Sequence, residues 1–375
     1  MKIGISSLTI LLALAIGAQA QMAVASVQVG AVFPMTGGQA SFGQESVNGM
    51  KLALKKLEAD AKTKGQIQLT VEDDKSEPVD AANAVRKLID VDKVSVIVGS
   101  VASSNTMAAA PIAQKAKIPL MTPASTNANV TKQGDYISRI CFTDDFQGEV
   151  MAKFAKQNLN AKKAAIIVDS SSDYSKGLEK VFRTVFAKLG GTVAPEVFAY
   201  QQKDTDFRSL LRNVKKTNPD VIWLPGYYTE VGNILKQARQ LGITAPFLGG
   251  DGWDSPTLFE MAGDSAKGNY ISSHFAPDDT DALVQGFVKD YEAEYDVRPG
   301  AMAALGYDAM MVMSDAIKRA GSGNSAAINK AITSTKNFAG ITGKITLNAQ
   351  RDAVKSAVVL ETTEKTFVFK TKVNP

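Results

Sequence analysis

The chain has 375 residues, with 42 Lys and Arg against 38 Asp and Glu for a net charge of +4, and it carries one cysteine and one histidine. The charges are mixed along the chain without a basic block, which argues against nucleic-acid binding, and a lone Cys141 excludes an intramolecular disulfide. This length exceeds what a single hydrophobic core usually serves, so two lobes are expected.

In chain order, Met1–Gln21 comes first. Lys2 precedes the apolar run Leu8–Ile16 and the small-residue site Ala18-Gln19-Ala20, the pattern of a secretory signal peptide over residues 1–20. The run is about half the ~20 apolar residues that a membrane-spanning helix needs, and no later segment approaches that length. The mature protein is therefore expected to be exported and soluble. Cleavage is expected after Ala20, with Ala23-Val24-Ala25 offering a second site and a start at Ser26. No Cys follows either site to carry a lipid anchor. An exported protein lacks ready access to ATP or nicotinamide cofactors, which leaves nutrient capture, hydrolysis and sensing.

Short β-branched runs then alternate with amphipathic helical stretches, the pattern of a mostly parallel sheet covered on both faces. Val27–Pro34 reads as a strand, Gln44–Lys62 as a helix, Ile67–Glu72 as a strand and Ala81–Ile89 as a helix. Val94–Val98, a helix starting near Ser103, and Ile118–Thr122 extend the series. The beat repeats after about residue 143. Strands are expected at Ala164–Val168, Val221–Pro225 and Phe247–Gly249, with helices around Gly177–Leu189, Phe207–Val214 and Val231–Leu241. Met302–Ala320 is strongly helical, whereas Lys344–Leu347 and Ala357–Lys370 read as strands, so the chain is expected to cross between lobes more than once.

Catalytic groups are scarce. A Ser-His-Asp site would have to use His274, which follows an apparent strand, and no G-x-S-x-G elbow occurs. His274 is expected to be a surface or strand-end residue, and Cys141 a small buried hydrophobe. Neither a zinc or calcium motif nor a Walker loop is present, so no cofactor and no metal are expected. Asp73-Asp74 and the acidic run near Asp278 read as solvated turns. Gly249-Gly250-Asp251-Gly252 follows a strand, but its carboxylate would repel a phosphate.

What remains is concentrated at the C-terminal ends of strands, where open α/β sheets bind ligands. Ser103 is placed as an N-cap, so that its hydroxyl and nearby N–H groups can hold a carboxylate. Ala124 and Thr126 follow Ile118–Thr122, and Asp251 follows Phe247–Gly249. Tyr174 and Tyr227 each follow a strand in the second half. Anion donors, a carboxylate and aromatic walls around one cleft suit a zwitterion with an apolar side chain.

Several motifs together carry a resemblance: Val32-Phe33-Pro34-Met35-Thr36-Gly37-Gly38-Gln39-Ala40-Ser41-Phe42-Gly43, then Val98-Gly99-Ser100 through Thr106, then Ile118 through Thr126. Ala164–Tyr174, Asp204-Thr205-Asp206-Phe207 and Gly226-Tyr227-Tyr228-Thr229-Glu230 follow in the second half. In this order the chain resembles the periplasmic substrate-binding proteins of ABC transporters for branched-chain amino acids. The resemblance implies an α/β fold of two Rossmann-like lobes, joined by three crossovers, that close over an amino acid. It implies an N-terminal lobe of residues 26–143 plus about 276–355, and a C-terminal lobe of about 144–275 plus about 356–375.

The resemblance also implies roles. Ser103 and Thr126 would take the ligand carboxylate. The Ala124 carbonyl, the Thr126 hydroxyl and Asp251 would hold the ammonium. Tyr227 would contact the ligand upon closure, and Phe42, Val101, Ala102 and Tyr174 would surround its side chain. Asp251 stands where the family carries a longer Glu, and Trp253 is placed to fill the resulting space or cap the side chain. A disulfide of some members would join the positions of Ser76 and Ala102, and it is absent. The implied partners are an aliphatic amino acid and the permease subunits of an ABC transporter, served by a periplasmic monomer. The alternatives are a binding protein for an amide, urea or aromatic acid, a sensor, and an exported hydrolase using His274.

Overall fold

Val27–Phe33 is apolar and buried except at Gln28, which is half-buried, as befits a central strand covered on both faces. In a computed structural model that describes residues 26–60 and 63–375, this strand lies between Ile67–Asp73 and Val96–Gly99. Leu120–Thr122 and Ile137–Arg139 extend the sheet, and every pairing in it is parallel. Parallel pairing demands crossover helices, which Ala40–Ala59, Pro78–Asp90 and Ser103–Ala116 supply. The signal peptide expected at the start lies outside the described residues.

A second sheet is built from later segments. Lys163–Asp169 is flanked by Val221–Trp223 on one side and by Thr192–Val193 and Phe198–Tyr200 on the other. Phe247–Gly249 and Tyr270–Ser273 continue it in parallel. Ala357–Thr362 and Phe367–Val373 then close its edge in antiparallel fashion. The expected single strand over Ala357–Lys370 is in fact this hairpin. Thr363 donates its N–H to the Thr366 carbonyl at 2.9 Å, and the polar run Thr363–Thr366 makes the turn.

The chain moves between these layers three times. Ile137–Arg139 ends the first sheet before Lys163–Asp169 enters the second. After Tyr270–Ser273, helix Ala301–Ala320 returns to pack on Ala40–Ala59, where Gly49 and Gly306 permit backbone contact. A β-carbon at Gly49 would lie 2.0 Å from the Ala303 carbonyl oxygen, and one at Gly306 would lie 2.1 Å from that of Ser46. After a small antiparallel sheet of Phe338–Gly340, Gly343–Leu347 and Ala353–Val354, the chain rejoins the second sheet at Ala357. Arg139, fully buried, ties the first and last passages. It donates to Asp352 at 2.6 Å and to the carbonyls of Ser125 and Asn127 at 2.7 and 2.8 Å.

Two local expectations are corrected. Asp74 is fully buried, not part of a solvated turn, and it accepts from the Ser100 hydroxyl and, at 2.9 Å, from the Ser76 N–H. A polar dipeptide in sequence does not reveal that a loop will fold over it. Ser103 is the first residue of its helix and Ala102 occupies the N-cap, with no side-chain cap.

Candidate ligand-binding cleft

The strands of both sheets deliver their C-terminal ends to one interface. From the first lobe come Phe42 near the start of Ala40–Ala59, Val101 after Val96–Gly99, Ala124 after Leu120–Thr122, and Met302. From the second come Tyr174 at the start of Asp173–Lys188, Tyr227 at the cap of Tyr228–Gln240, and Asp251 with Gly252 after Phe247–Gly249. These eight enclose only about 10 Å³, which is room for about one water molecule. Tyr174 and Tyr227 stack with centroids 5.2 Å apart, and Phe42 meets Tyr227 and Tyr228 edge-on at 6.3 and 4.8 Å.

Asp251 is 2 % exposed and carries the cleft's best-anchored carboxylate. Its Oδ1 accepts from the Tyr174 hydroxyl at 2.9 Å and from Gln147 Nε2 at 3.0 Å, while Oδ2 lies 3.0 Å from His274 Nε2. Burial lowers the His274 pKa against the raising influence of Asp251. The imidazole is thus neutral near pH 7 and donates from Nε2, which leaves its buried Nδ1 without a partner. Its ring stacks on Phe142 with centroids 3.6 Å apart. Gln147 also donates to Asp144 Oδ1 at 2.9 Å. Burial pushes the Asp144 carboxyl up to about 8, and the nearby Asp251 charge adds to the rise.

On the opposite wall, Ser103 and Thr126 are each 1 % exposed. Ser103 Oγ accepts the Asn127 N–H at 3.2 Å, whereas the Thr126 hydroxyl lies beside the Asp144 carboxyl and opposes the rise in its pKa.

The lobes stand closed. Ser104 Oγ donates to Asp173 Oδ2 and accepts the Asp173 N–H, both at 3.0 Å, and Asn127 Nδ2 donates to the Asp173 carbonyl at 2.7 Å. At another edge the Ser41 N–H donates to the Tyr228 hydroxyl at 3.1 Å, and the Ser41 and Ser255 hydroxyls lie 2.9 Å apart.

Of the ten residues singled out in the sequence, Phe42, Val101, Ala124, Tyr174, Tyr227 and Asp251 line the enclosed space. Ser103 and Thr126 are joined beside it through Asn127, and Ala102 is buried at the helix cap behind Val101. Trp253 does not face the cleft. Its indole N–H donates to the Leu224 carbonyl at 3.0 Å and its ring covers Gly249, so it belongs to the second lobe's core. His274 stands at a strand end, directly after Tyr270–Ser273, but not at the surface: its side chain is buried against Asp251. Gln147, Asp144, Phe142 and Met302 escaped the sequence reading. A helix start holding Asp144 and Gln147 directly after the first passage between lobes was the available signal.

Two α/β lobes, three passages between them and a cleft lined from both sides define a hinged ligand-binding protein. A family model described as "Periplasmic binding protein" matches residues 26–365, and the chain belongs to that family. It is 28 % identical to the Leu/Ile/Val-binding protein BraC3 of Rhizobium johnstonii, over 91 % of this chain and 92 % of that one. Among solved structures, the leucine binding protein LivK of Thermotoga maritima is 40 % identical with a TM-score of 0.89, covering 93 % of this chain and 99 % of the other. LivJ, a branched-chain amino acid transporter substrate binding protein of Streptococcus pneumoniae in complex with isoleucine, is 33 % identical with a TM-score of 0.88, covering 93 % and 100 %.

Proposed function

We propose that this protein captures an aliphatic amino acid, with leucine, isoleucine and valine foremost, in the periplasm and presents it to the permease of an ABC transporter. The observation that carries the reading is the cleft itself, where Ala124 from one lobe and the Asp251 carboxylate from the other line one small space between aromatic walls, with the buried Ser103 and Thr126 hydroxyls beside it. Ser103, Thr126 and the adjacent backbone would hold the ligand carboxylate. The Ala124 carbonyl, the Thr126 hydroxyl and Asp251 would hold the ammonium. Asp251 already has three partners, but a carboxylate offers about four lone-pair sites, so one more donor can be accepted.

Binding without turnover fits the surroundings of His274 better than hydrolysis does. The neighbouring hydroxyls are committed elsewhere, Ser272 to Gln147 Oε1 at 3.0 Å and Ser273 to Asp254. Since only about 10 Å³ is enclosed, a ligand of leucine's size enters by parting the lobes, and contacts from both sides then favour closure.

Calorimetric titration of protein unfolded and refolded to strip carried-over ligand tests the reading. Leucine, isoleucine or valine should bind and leucinamide should bind far more weakly. Equal binding of acid and amide would remove the carboxylate site, and a response to urea, amides or benzoate alone would remove the amino-acid assignment.

A further inference from the structure

A second cavity of about 700 Å³ lies between the lobes and shares no lining residue with the cleft. Glu45 reaches it from the first lobe and Asp254 from the second. Their carboxyl oxygens converge: a β-carbon at Gly300 would lie 2.7 Å from Glu45 Oε2 and 3.5 Å from Asp254 Oδ1. Glu45 Oε1 accepts from the Ser41 hydroxyl at 3.0 Å, but Oε2 is buried without any partner. Tyr291, 1 % exposed, lines the same cavity with its hydroxyl beside the Asn48 side chain. The remaining walls are largely apolar, with Phe259, Phe275 and Phe367 prominent.

We infer that this cavity is a second ligand site, for a primary ammonium carrying an apolar body. The three N–H groups of an ammonium match the Glu45, Asp254 and Tyr291 oxygens, and the aromatic walls take the hydrocarbon. Burial and then the Asp254 charge hold Glu45 up to about 8, while burial and then the Asp251 charge hold Asp254 up to about 6, and a cation between the two carboxyls relieves that cost. Charge at the mouth narrows the choice. Arg298 and Lys365 lie exposed on the rim with Glu260, so a second positive charge on the ligand would be disfavoured and a monoamine preferred to a diamine. Because the two carboxyls come from different lobes, occupancy would also hold the lobes together.

The probe is phenethylamine, titrated calorimetrically into the mature protein with and without saturating leucine, with cadaverine and 2-phenylethanol as controls. One equivalent of phenethylamine should bind whether or not leucine is present. Glu45→Gln should weaken it at least about tenfold, as when a buried charge pair loses one member, and both controls should bind more weakly than the probe. Absence of binding, displacement by leucine, or undiminished binding to Glu45→Gln protein of unaltered melting temperature would each overturn the assignment.

Discussion

Asp251 is held by Tyr174, Gln147 and His274 before any ligand arrives, so its position is fixed and its shortness relative to a glutamate is not made up by swinging. Removing it with Asp251→Ala should weaken leucine binding by roughly 2–5 kcal/mol, the cost of leaving a buried ammonium unpaired. Titration calorimetry reads this directly, and an unchanged affinity would mean that the ammonium sits elsewhere. Asp144 makes a separate prediction about stability. Its folded pKa is raised from 3.8 to about 8 by burial and then by Asp251, so the folded state holds a proton that the unfolded state has released. Between those values the folded state binds more protons, and stability must fall as pH rises, with the full penalty present above about 8. Asp144→Asn should flatten the decline in melting temperature of the ligand-free protein over that window. An equally steep decline in the variant would assign the slope to the other buried carboxyls.

At the scale of elements, the alternating pattern of strand and helix was legible because central parallel strands such as Val27–Phe33 are apolar nearly throughout, with Gln28 the one polar residue. Ala124, Tyr174, Tyr227 and Asp251 were legible because open α/β sheets bind at strand ends, whereas Phe42 and Val101 came only with the family resemblance. Trp253 was misplaced for a physical reason: sequence places it two residues from Asp251, but the tight turn Asp251–Trp253 rotates its ring onto Gly249. His274 does end a strand, as expected, but its burial was not legible because it depends on Phe142, which is distant in sequence and stacks on it. Nor did periodicity announce how closely Ala40–Ala59 and Ala301–Ala320 approach. Gly306→Ala should force their backbones apart and cost about 1–3 kcal/mol of stability, the usual penalty of overpacking. Denaturant unfolding measures the loss, and a neutral substitution would show that the helices can slide without penalty.

For the whole molecule, the question is what holds two lobes shut around so little space. The aromatic set Phe42, Tyr174 and Tyr227 fills the cleft, while Ser104 and Asn127 clasp the Asp173 end of a second-lobe helix. In an open form, water satisfies the clasp groups, so each bond contributes only about 0.5–1.5 kcal/mol net. The clasp therefore biases closure without locking it, as a protein that must release its cargo requires. Ligand affinity depends on the population of the closing-competent arrangement, so loosening the clasp taxes binding without touching the ligand's own contacts. The double variant Ser104→Ala, Asn127→Ala should enlarge the radius of gyration of the ligand-free protein in solution scattering and weaken leucine binding about tenfold or more. Leucine at saturation should restore the compact dimension, because ligand contacts replace the missing bonds. If the variant scatters and binds like the parent, closure is governed by the contacts that remain, the aromatic packing of Phe42 in the cleft and the bonds of Ser41 to Tyr228 and Ser255 at its other edge.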